Sequence, residues 1–209
     1  MLVFSGFWKV ENNPKKSNKI GHINSVKQKQ LDLFFCEKQV DLDCKQHNIL
    51  YDQLPAHNFI KKLNPKKPCT KVGLAVNSEA FKKLCTIWCS KILLFKTAAD
   101  LYPNEDVFLW RDCVENNKFE TIKNVDSKLC VIGTYNRTRR KPLFNNTITP
   151  EFQQLLCAQV IKIHRDHLHT FLTAYKDTLN YVDNNYEIYD EEIILSTLCK
   201  QKPELFVTV

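Results

Sequence analysis

The chain has 209 residues, of which 44% are hydrophobic, and it carries a formal net charge of +7. This length suits one substantial core and disfavours several full domains, so we expect a single domain over residues 1–209. The basic excess lies in residues 1–100, as scattered lysines with no arginine before Arg111. Nucleic-acid-binding proteins favour clustered arginines and stacking aromatic side chains, so we expect no stable nucleic-acid partner.

The cysteine content and the N-terminal sequence indicate the cellular compartment of the protein. The nine cysteines are odd in number and form no Cys-x-x-Cys pair, which favours reduced thiols over a disulfide scaffold. Residues 1–10 are apolar but lack a basic start, and Gly6 and Lys9 interrupt them. They predict neither a signal peptide nor a transmembrane segment. We therefore expect a cytoplasmic protein.

The first third of the chain predicts a strand, a helix and a second strand. Residues 2–8 form a strand that ends at a turn with Gly6, where the missing Cβ lets the backbone approach a ligand. Residues 17–31 have a modest amphipathic spacing, and residues 33–36 are a short apolar run. This order predicts a parallel strand pair. Residues 38–75 contain three prolines, and we predict a loop with short helical pieces.

The clearest helix follows. Ser78 is a suitable N-cap, and apolar residues recur at helical spacing from Phe81 to Ala99, so a helix is predicted from Ser78 to about Leu101. Lys91 lies beside this apolar stripe. It is either a lysine that snorkels at the helix edge, which we favour, or a ligand for a phosphate group.

The central segment contains the first candidate site residue. Residues 107–110 are apolar and follow a turn-forming Pro-Asn-Glu-Asp sequence, which predicts a buried parallel strand. Asp112 comes just after its carboxyl end. In open α/β sheets ligands bind outside the carboxyl ends of strands, so Asp112 is placed to reach a metal or a phosphate-bearing substrate. The alternative is that Asp112 only caps the next turn.

The last part of the chain predicts more strands and helices. Strands are predicted at residues 119–122, 129–133 and 158–163, and helices at residues 149–156 and from His164 to Leu179. The arginines and lysine of residues 137–141 either clamp a diphosphate or lie in a solvated loop. Asp190, Glu191 and Glu192 open a final helix. The helix dipole explains first-turn acids fully, unless one of them faces Asp112.

Four segments carry a family resemblance. They are SGFWK (residues 5–9), IWCSK (87–91), FLWRDC (108–113) and the ending from DEEIIL (190–195) to PELF (203–206). Their order and spacing resemble the WlaTC/HtrL family, glycosyltransferase-like proteins associated with bacterial surface polysaccharide loci. The family pattern after the central strand is closer to W-[IV]-D-[AS]-G, so Arg111, Cys113 and Val114 depart from it.

The resemblance implies a GT-A-like fold, which is a Rossmann-like, mostly parallel α/β sheet flanked by helices. It implies that Asp112, with Glu115 as a second acid, holds Mn²⁺ or Mg²⁺ against the diphosphate of a nucleotide-sugar donor. Asp190 or Glu191 would be the catalytic carboxylate on the acceptor side. The residues that it implies for donor binding are Ser5, Gly6, Trp8, Lys91, Arg111 and Gln159.

The expected function is transfer of a sugar from a nucleotide-diphosphate donor to a glycan or another hydroxyl acceptor. A divalent cation and basic side chains would stabilise the leaving nucleoside diphosphate, and a carboxylate would deprotonate the acceptor. Two alternatives stay open: a non-catalytic sugar-nucleotide- or glycan-binding protein of the same fold, and a basic nucleic-acid-binding protein. A catalytic site also requires Asp112 and the acids of the last helix to line one cleft with room for a sugar.

Overall fold

The structure is a computed structural model of the protein. It describes residues 1–10, 21–27, 29–61, 79–113, 118–134, 156–186 and 191–209. The strands in these residues are β1 (Leu2–Phe7), β2 (Leu33–Cys36), β3 (Lys45–Asn48), β4 (Val107–Arg111), β5 (Cys130–Thr134), β6 (Leu156–His164) and β7 (Phe206–Thr208). The α-helices are α1 (Gly21–Val26), α2 (His57–Lys61), α3 (Glu79–Leu101), α4 (Phe119–Lys123), α5 (Arg165–Tyr186) and α6 (Glu191–Gln201). None of these helices is long and apolar enough to cross a membrane.

The strands form one sheet in the order β3-β2-β1-β4-β6-β5-β7. Strands β3, β2, β1 and β4 are parallel, β5 and β7 are a parallel pair, and β6 runs antiparallel to both β4 and β5. From β1 the chain builds the sheet outward on one side through β2 and β3, and then returns to add β4 on the other side. The boundary between β1 and β4 is therefore a topological switch point, where ligands of open α/β sheets bind.

Helices cover both faces of the sheet. One face packs Phe4 and Phe108 against α3, α5 and α6, and the other packs Val3 and Leu109 against α1 and α4. Because successive side chains of a strand point to opposite faces, a strand that is buried on both faces becomes a continuous apolar run. This explains why β1, β2 and β4 could be predicted from sequence. The expected architecture of a mostly parallel α/β sheet flanked by helices is confirmed.

Several predicted elements need correction. Residues 119–122 were expected to form a strand but lie in helix α4, where Phe119 and Ile122 are both buried. Residues three apart share one side of a helix, whereas in a strand they would face opposite sides of the sheet. The loop predicted for residues 38–75 contains β3, whose polar KQHN sequence has no apolar run to mark it. The helix predicted at residues 149–156 has only Leu156 among the described residues, and Leu156 begins β6.

Gly6 lies near the end of β1 and leaves no room for a side chain. A Cβ there would lie 2.8 Å from a ring carbon of Trp8 and 3.2 Å from the Phe35 backbone oxygen. We expect Gly6→Ala to lower the free energy of unfolding by about 1–3 kcal/mol, because the buried indole has nowhere to move. Gly133→Ala is the control, since the three atoms nearest to its Cβ belong to the side chain of Lys118 and not to the backbone or to a buried ring. Equal losses for the two variants in urea unfolding would contradict this explanation.

Candidate functional site

Asp112 is fixed just beyond the carboxyl end of β4, at the switch point of the sheet. Its backbone N–H donates to the Gln159 carbonyl of β6 at 2.8 Å. Its own carbonyl accepts a hydrogen bond from Lys29 Nζ, also at 2.8 Å. The main chain is therefore held from both sides, and the carboxylate points to the face of the sheet that carries α3 and α6.

Lys91 of α3 joins Asp112 to the last helix. Its Nζ lies 3.0 Å from Asp112 Oδ1 and 2.9 Å from Glu191 Oε1, and it donates to the Ala158 carbonyl of β6 at 3.0 Å. Glu191 is the first residue of α6. The ammonium thus ties together α3, α6 and two neighbouring strands. We call Lys91, Asp112 and Glu191 the lysine–carboxylate cluster.

The hydrogen-bonding capacity of Lys91 is used up within this cluster. An ammonium group has three N–H donors and no acceptor, and Lys91 directs them to Asp112, Ala158 and Glu191. The side chain is also only 7% exposed. Both sequence interpretations of Lys91 are therefore corrected, because it neither snorkels to solvent nor keeps an N–H for a donor phosphate.

Trp110 supports Asp112 from the same face of β4. Its indole N–H donates to Asp112 Oδ1 at 2.6 Å, and its ring packs edge-on against Phe4 with the ring centroids 5.5 Å apart. Residues 110 and 112 lie two apart in an extended chain, so their side chains share a face. Trp110 belongs to the segment that was predicted to be a buried strand, and it is only 4% exposed. Trp88 is half-buried and packs at the margin of the same core.

The members of the cluster shift one another's pKa values. Burial by itself would lower the pKa of the Lys91 ammonium, but the Asp112 and Glu191 carboxylates outweigh burial and raise that pKa above its ordinary value. Burial raises the pKa of the Asp112 carboxyl, and Glu191 adds to this effect while Lys91 and Trp110 oppose it. Lys91 therefore stays protonated at neutral pH. Asp112 is the exposed edge of the cluster, with 26% of its side chain accessible against 7% for Glu191.

The acidic start of α6 fastens this helix to β6. Glu192 Oε1 accepts the Ala158 N–H at 3.1 Å, and Ser196 Oγ accepts the Leu156 N–H at 3.1 Å. These two bonds satisfy backbone donors at the start of β6. The expected meeting of Asp112 with an acid of the last helix is observed, because Glu191 reaches the same ammonium. The room expected for a sugar between the two carboxylates is taken by Lys91 Nζ.

Trp8 does not line the site as the resemblance implied. It is 2% exposed, and its indole N–H donates to the Ile49 carbonyl at 2.9 Å. The indole therefore offers no face to a donor, and we reassign Trp8 to packing.

The other residues implied for donor binding lie around the ends of β1 and β4. Ser5 is buried, with its Oγ 3.8 Å from Cys113 Sγ. Arg111 is half-buried and places its guanidinium 3.8 Å from the centre of the Phe119 ring, on the face of the sheet opposite the cluster. Gln159 is half-buried beside Asp112. Donor binding by Ser5, Gly6, Arg111 and Gln159 stays a prediction.

Some site residues were not predicted, and some predicted site residues lie outside the described residues. Lys29, in a polar stretch without a motif, and the backbone carbonyl of Ala158 carry no signal that would have identified them. Glu115, Asp190 and the basic group at residues 137–141 lie outside the described residues. Their predicted roles are not addressed by this geometry.

The described residues do not fit a divalent cation at Asp112. No group of three or more His, Cys, Asp or Glu side chains within the described ranges is arranged to hold a metal ion. The two oxygens of Asp112 that a cation would use already accept bonds from Lys91 and Trp110. Asp112 and Glu191 thus share the Lys91 ammonium in the place where the resemblance implied Mn²⁺ or Mg²⁺.

The chain has distant structural likenesses to known proteins. No family model matches the chain, and no curated protein matches it. Among solved structures, it is similar to a glycosyltransferase involved in the glycosylation of the major capsid of PBCV-1, at 12% identity and a TM-score of 0.44, over 99% of this chain and 80% of that one. It is also similar to the apo form of mouse xyloside xylosyltransferase 1, at 12% identity and a TM-score of 0.49, over 100% of this chain and 84% of that one.

Both of these proteins are glycosyltransferases, but likenesses this distant carry no activity over to this chain. Membership of the WlaTC/HtrL family stays a prediction. The function is therefore inferred from the site itself.

Proposed function

We propose that the protein binds a nucleotide-sugar donor beside Asp112 and acts as a glycosyltransferase on a glycan or another hydroxyl acceptor. The observation that carries this proposal is the position of Asp112, a partly exposed carboxylate at the carboxyl end of β4, where β4 adjoins β1. Ligands of open α/β sheets bind at such a switch point. The four-segment resemblance supports the same class of donor.

Basic groups near the ends of β1 and β4 suit a diphosphate. Lys9 is exposed just after β1, and Lys29 reaches the backbone of Asp112. When the sugar leaves, negative charge grows on the nucleoside diphosphate, and cationic side chains held in place stabilise that charge. We assign this role to Lys9 and Lys29. We assign to Asp112 the contact with the sugar of the donor.

Glu191 is not suited to the catalytic role that the resemblance implied. A general base must come within hydrogen-bond reach of the acceptor hydroxyl. The Glu191 side chain is 7% exposed and is bonded to Lys91 at 2.9 Å. Its function is to hold Lys91. The acceptor-side base is then Asp190, as first predicted, or Asp112 itself.

The position of Glu191 also favours a second candidate, a sugar-nucleotide-binding protein of the same fold without transferase activity. Such a protein binds the donor at Asp112 and needs no carboxylate that deprotonates an acceptor hydroxyl. The two candidates differ in turnover. A transferase releases nucleoside diphosphate faster when acceptor is added, whereas a binding protein is stabilised by the donor and releases none.

A thermal-shift screen of nucleotide sugars tests the shared claim of donor binding. A ligand at about 100 times its Kd stabilises a protein by about 2.7 kcal/mol, which raises the Tm of a chain this size by about 5 °C or more. We expect one nucleotide class to give such a shift, and Asp112→Asn to remove it.

Asp166→Asn is the matched control for this screen. It also removes one carboxylate, but Asp166 pairs with Lys128 on the surface at the start of α5, close to Asp106 at the other end of β4. Its donor shift should equal that of the wild type. Absence of any shift across the screen, or equal shifts in Asp112→Asn and the wild type, would refute donor binding at this site.

A further inference from the structure

The lysine–carboxylate cluster is arranged like a metal-ion site, but the cation at its centre is the ammonium group of a lysine side chain. Two carboxylates from distant parts of the chain, 79 positions apart by their numbers, converge on one point. A backbone carbonyl, that of Ala158, completes the oxygen set at 3.0 Å. Carboxylate and carbonyl oxygens are the ligands that hard divalent cations take. In this chain the point where they meet is Lys91 Nζ.

We propose that the Lys91 ammonium takes the place of a divalent cation at the end of β4, and that it holds Asp112 and Glu191 without a metal. The inference deepens the proposed function, and rests on it only for the identity of the ligand that Asp112 meets. Lys91 is in this account a positioning residue. It orients the Asp112 carboxylate and contacts no substrate itself.

Three features of the structure favour an ammonium over a metal ion. The three N–H donors of Lys91 match the three acceptors, so no ligand position is left over. Asp112 Oδ1 also accepts the Trp110 N–H at 2.6 Å, which uses one lone pair of an oxygen that a metal would need. Glu191 begins α6, an 11-residue helix. The positive end of its dipole adds to the ammonium in balancing the second carboxylate.

Binding of Mn²⁺ alone tests the proposal, with the paramagnetic resonance signal of free Mn²⁺ as the readout. The wild type and Asp112→Asn should bind Mn²⁺ with the same weak affinity. Removing the ammonium should expose a site for the metal, so Lys91→Met should bind Mn²⁺ at least about tenfold more tightly than the wild type. The double variant Lys91→Met/Asp112→Asn should lose this gain. A packing role of Lys91 alone would produce neither change.

Each outcome decides the proposal. Mn²⁺ binding by the wild type that Asp112→Asn abolishes would overturn it, and so would a folded Lys91→Met that binds Mn²⁺ no better than the wild type. If Lys91→Met does not fold, the comparison of the wild type with Asp112→Asn decides alone.

A parallel titration with UDP, GDP, ADP and CDP, in EDTA and in Mn²⁺, separates this proposal from the proposed function. Nucleotide binding of equal strength in EDTA and Mn²⁺ supports both. Nucleotide binding that needs both Mn²⁺ and Asp112 overturns the ammonium proposal and keeps the function. No binding of any nucleotide in either condition overturns the function, and the Mn²⁺ measurements above still decide the role of Lys91.

Discussion

Lys91→Met should lower the free energy of unfolding by about 3–5 kcal/mol, because it leaves the buried Glu191 carboxylate and the partly exposed Asp112 carboxylate without their counter-ion. The side chains of Lys91 and Glu191 are each 7% exposed, so water cannot solvate the Glu191 carboxylate well once the ammonium is removed. Urea unfolding followed by circular dichroism measures the effect. If Lys91→Met is too unstable to purify, the loss is read from Lys91→Met/Glu191→Gln, which removes one of the two stranded charges and should recover part of the stability.

Lys96→Met is the matched control for this prediction. Lys96 lies on the same helix and pairs with Asp100 at 2.7 Å, but the two side chains are 65% and 62% exposed. An exposed pair of this kind contributes about 0.3–0.5 kcal/mol. If Lys91→Met costs no more than Lys96→Met, the lysine–carboxylate cluster does not hold the site together as described.

Trp110→Ala should also cost about 3–5 kcal/mol, since truncating a buried aromatic residue leaves a large cavity. The indole is 4% exposed and packs on Phe4. Trp110→Phe keeps most of the packing but removes the N–H that reaches Asp112. We expect Trp110→Phe to lose less stability than Trp110→Ala. Donor binding should nevertheless weaken in Trp110→Phe, because the Asp112 carboxylate loses one of its two fixed partners.

Trp88→Ala provides the comparison. Trp88 is half-buried at the margin of the core, so its truncation should cost clearly less than that of Trp110. Equal losses for Trp88→Ala and Trp110→Ala in the same unfolding measurement would contradict this assignment of burial.

The elements nearest the site could be predicted from sequence, because their local patterns agree with their surroundings. Strand β4 is a short apolar run between turn residues, and α3 carries a long apolar stripe, so both were predicted within a few residues. Asp112 was identified for the same reason, since the order of residues alone shows a carboxylate directly after a buried strand. The strands β3 and β7 were missed, because they are short and carry little or no apolar alternation.

The role of Lys91 could not be predicted in this way. Its partners Asp112 and Glu191 are 21 and 100 residues away in the chain, and no local pattern links positions so far apart. A lysine beside an apolar stripe is most simply interpreted as a snorkelling side chain. Only the packing of α3 and α6 on the same face of the sheet brings the three groups together.

The most direct test of the account follows the Trp110 indole N–H by nuclear magnetic resonance during titration with UDP, GDP, ADP and CDP. The chain has three tryptophans, so ¹⁵N-labelled tryptophan gives a simple spectrum in which Trp110→Phe identifies the Trp110 signal. This N–H donates to Asp112 Oδ1, and it therefore reports on any ligand that meets the Asp112 carboxylate.

We predict that one of the four nucleotides shifts the Trp110 indole signal in a saturable way, and that Asp112→Asn abolishes the response while Asp166→Asn preserves it. A nucleotide that stabilises the protein but leaves this signal unmoved would place the donor elsewhere and contradict the account.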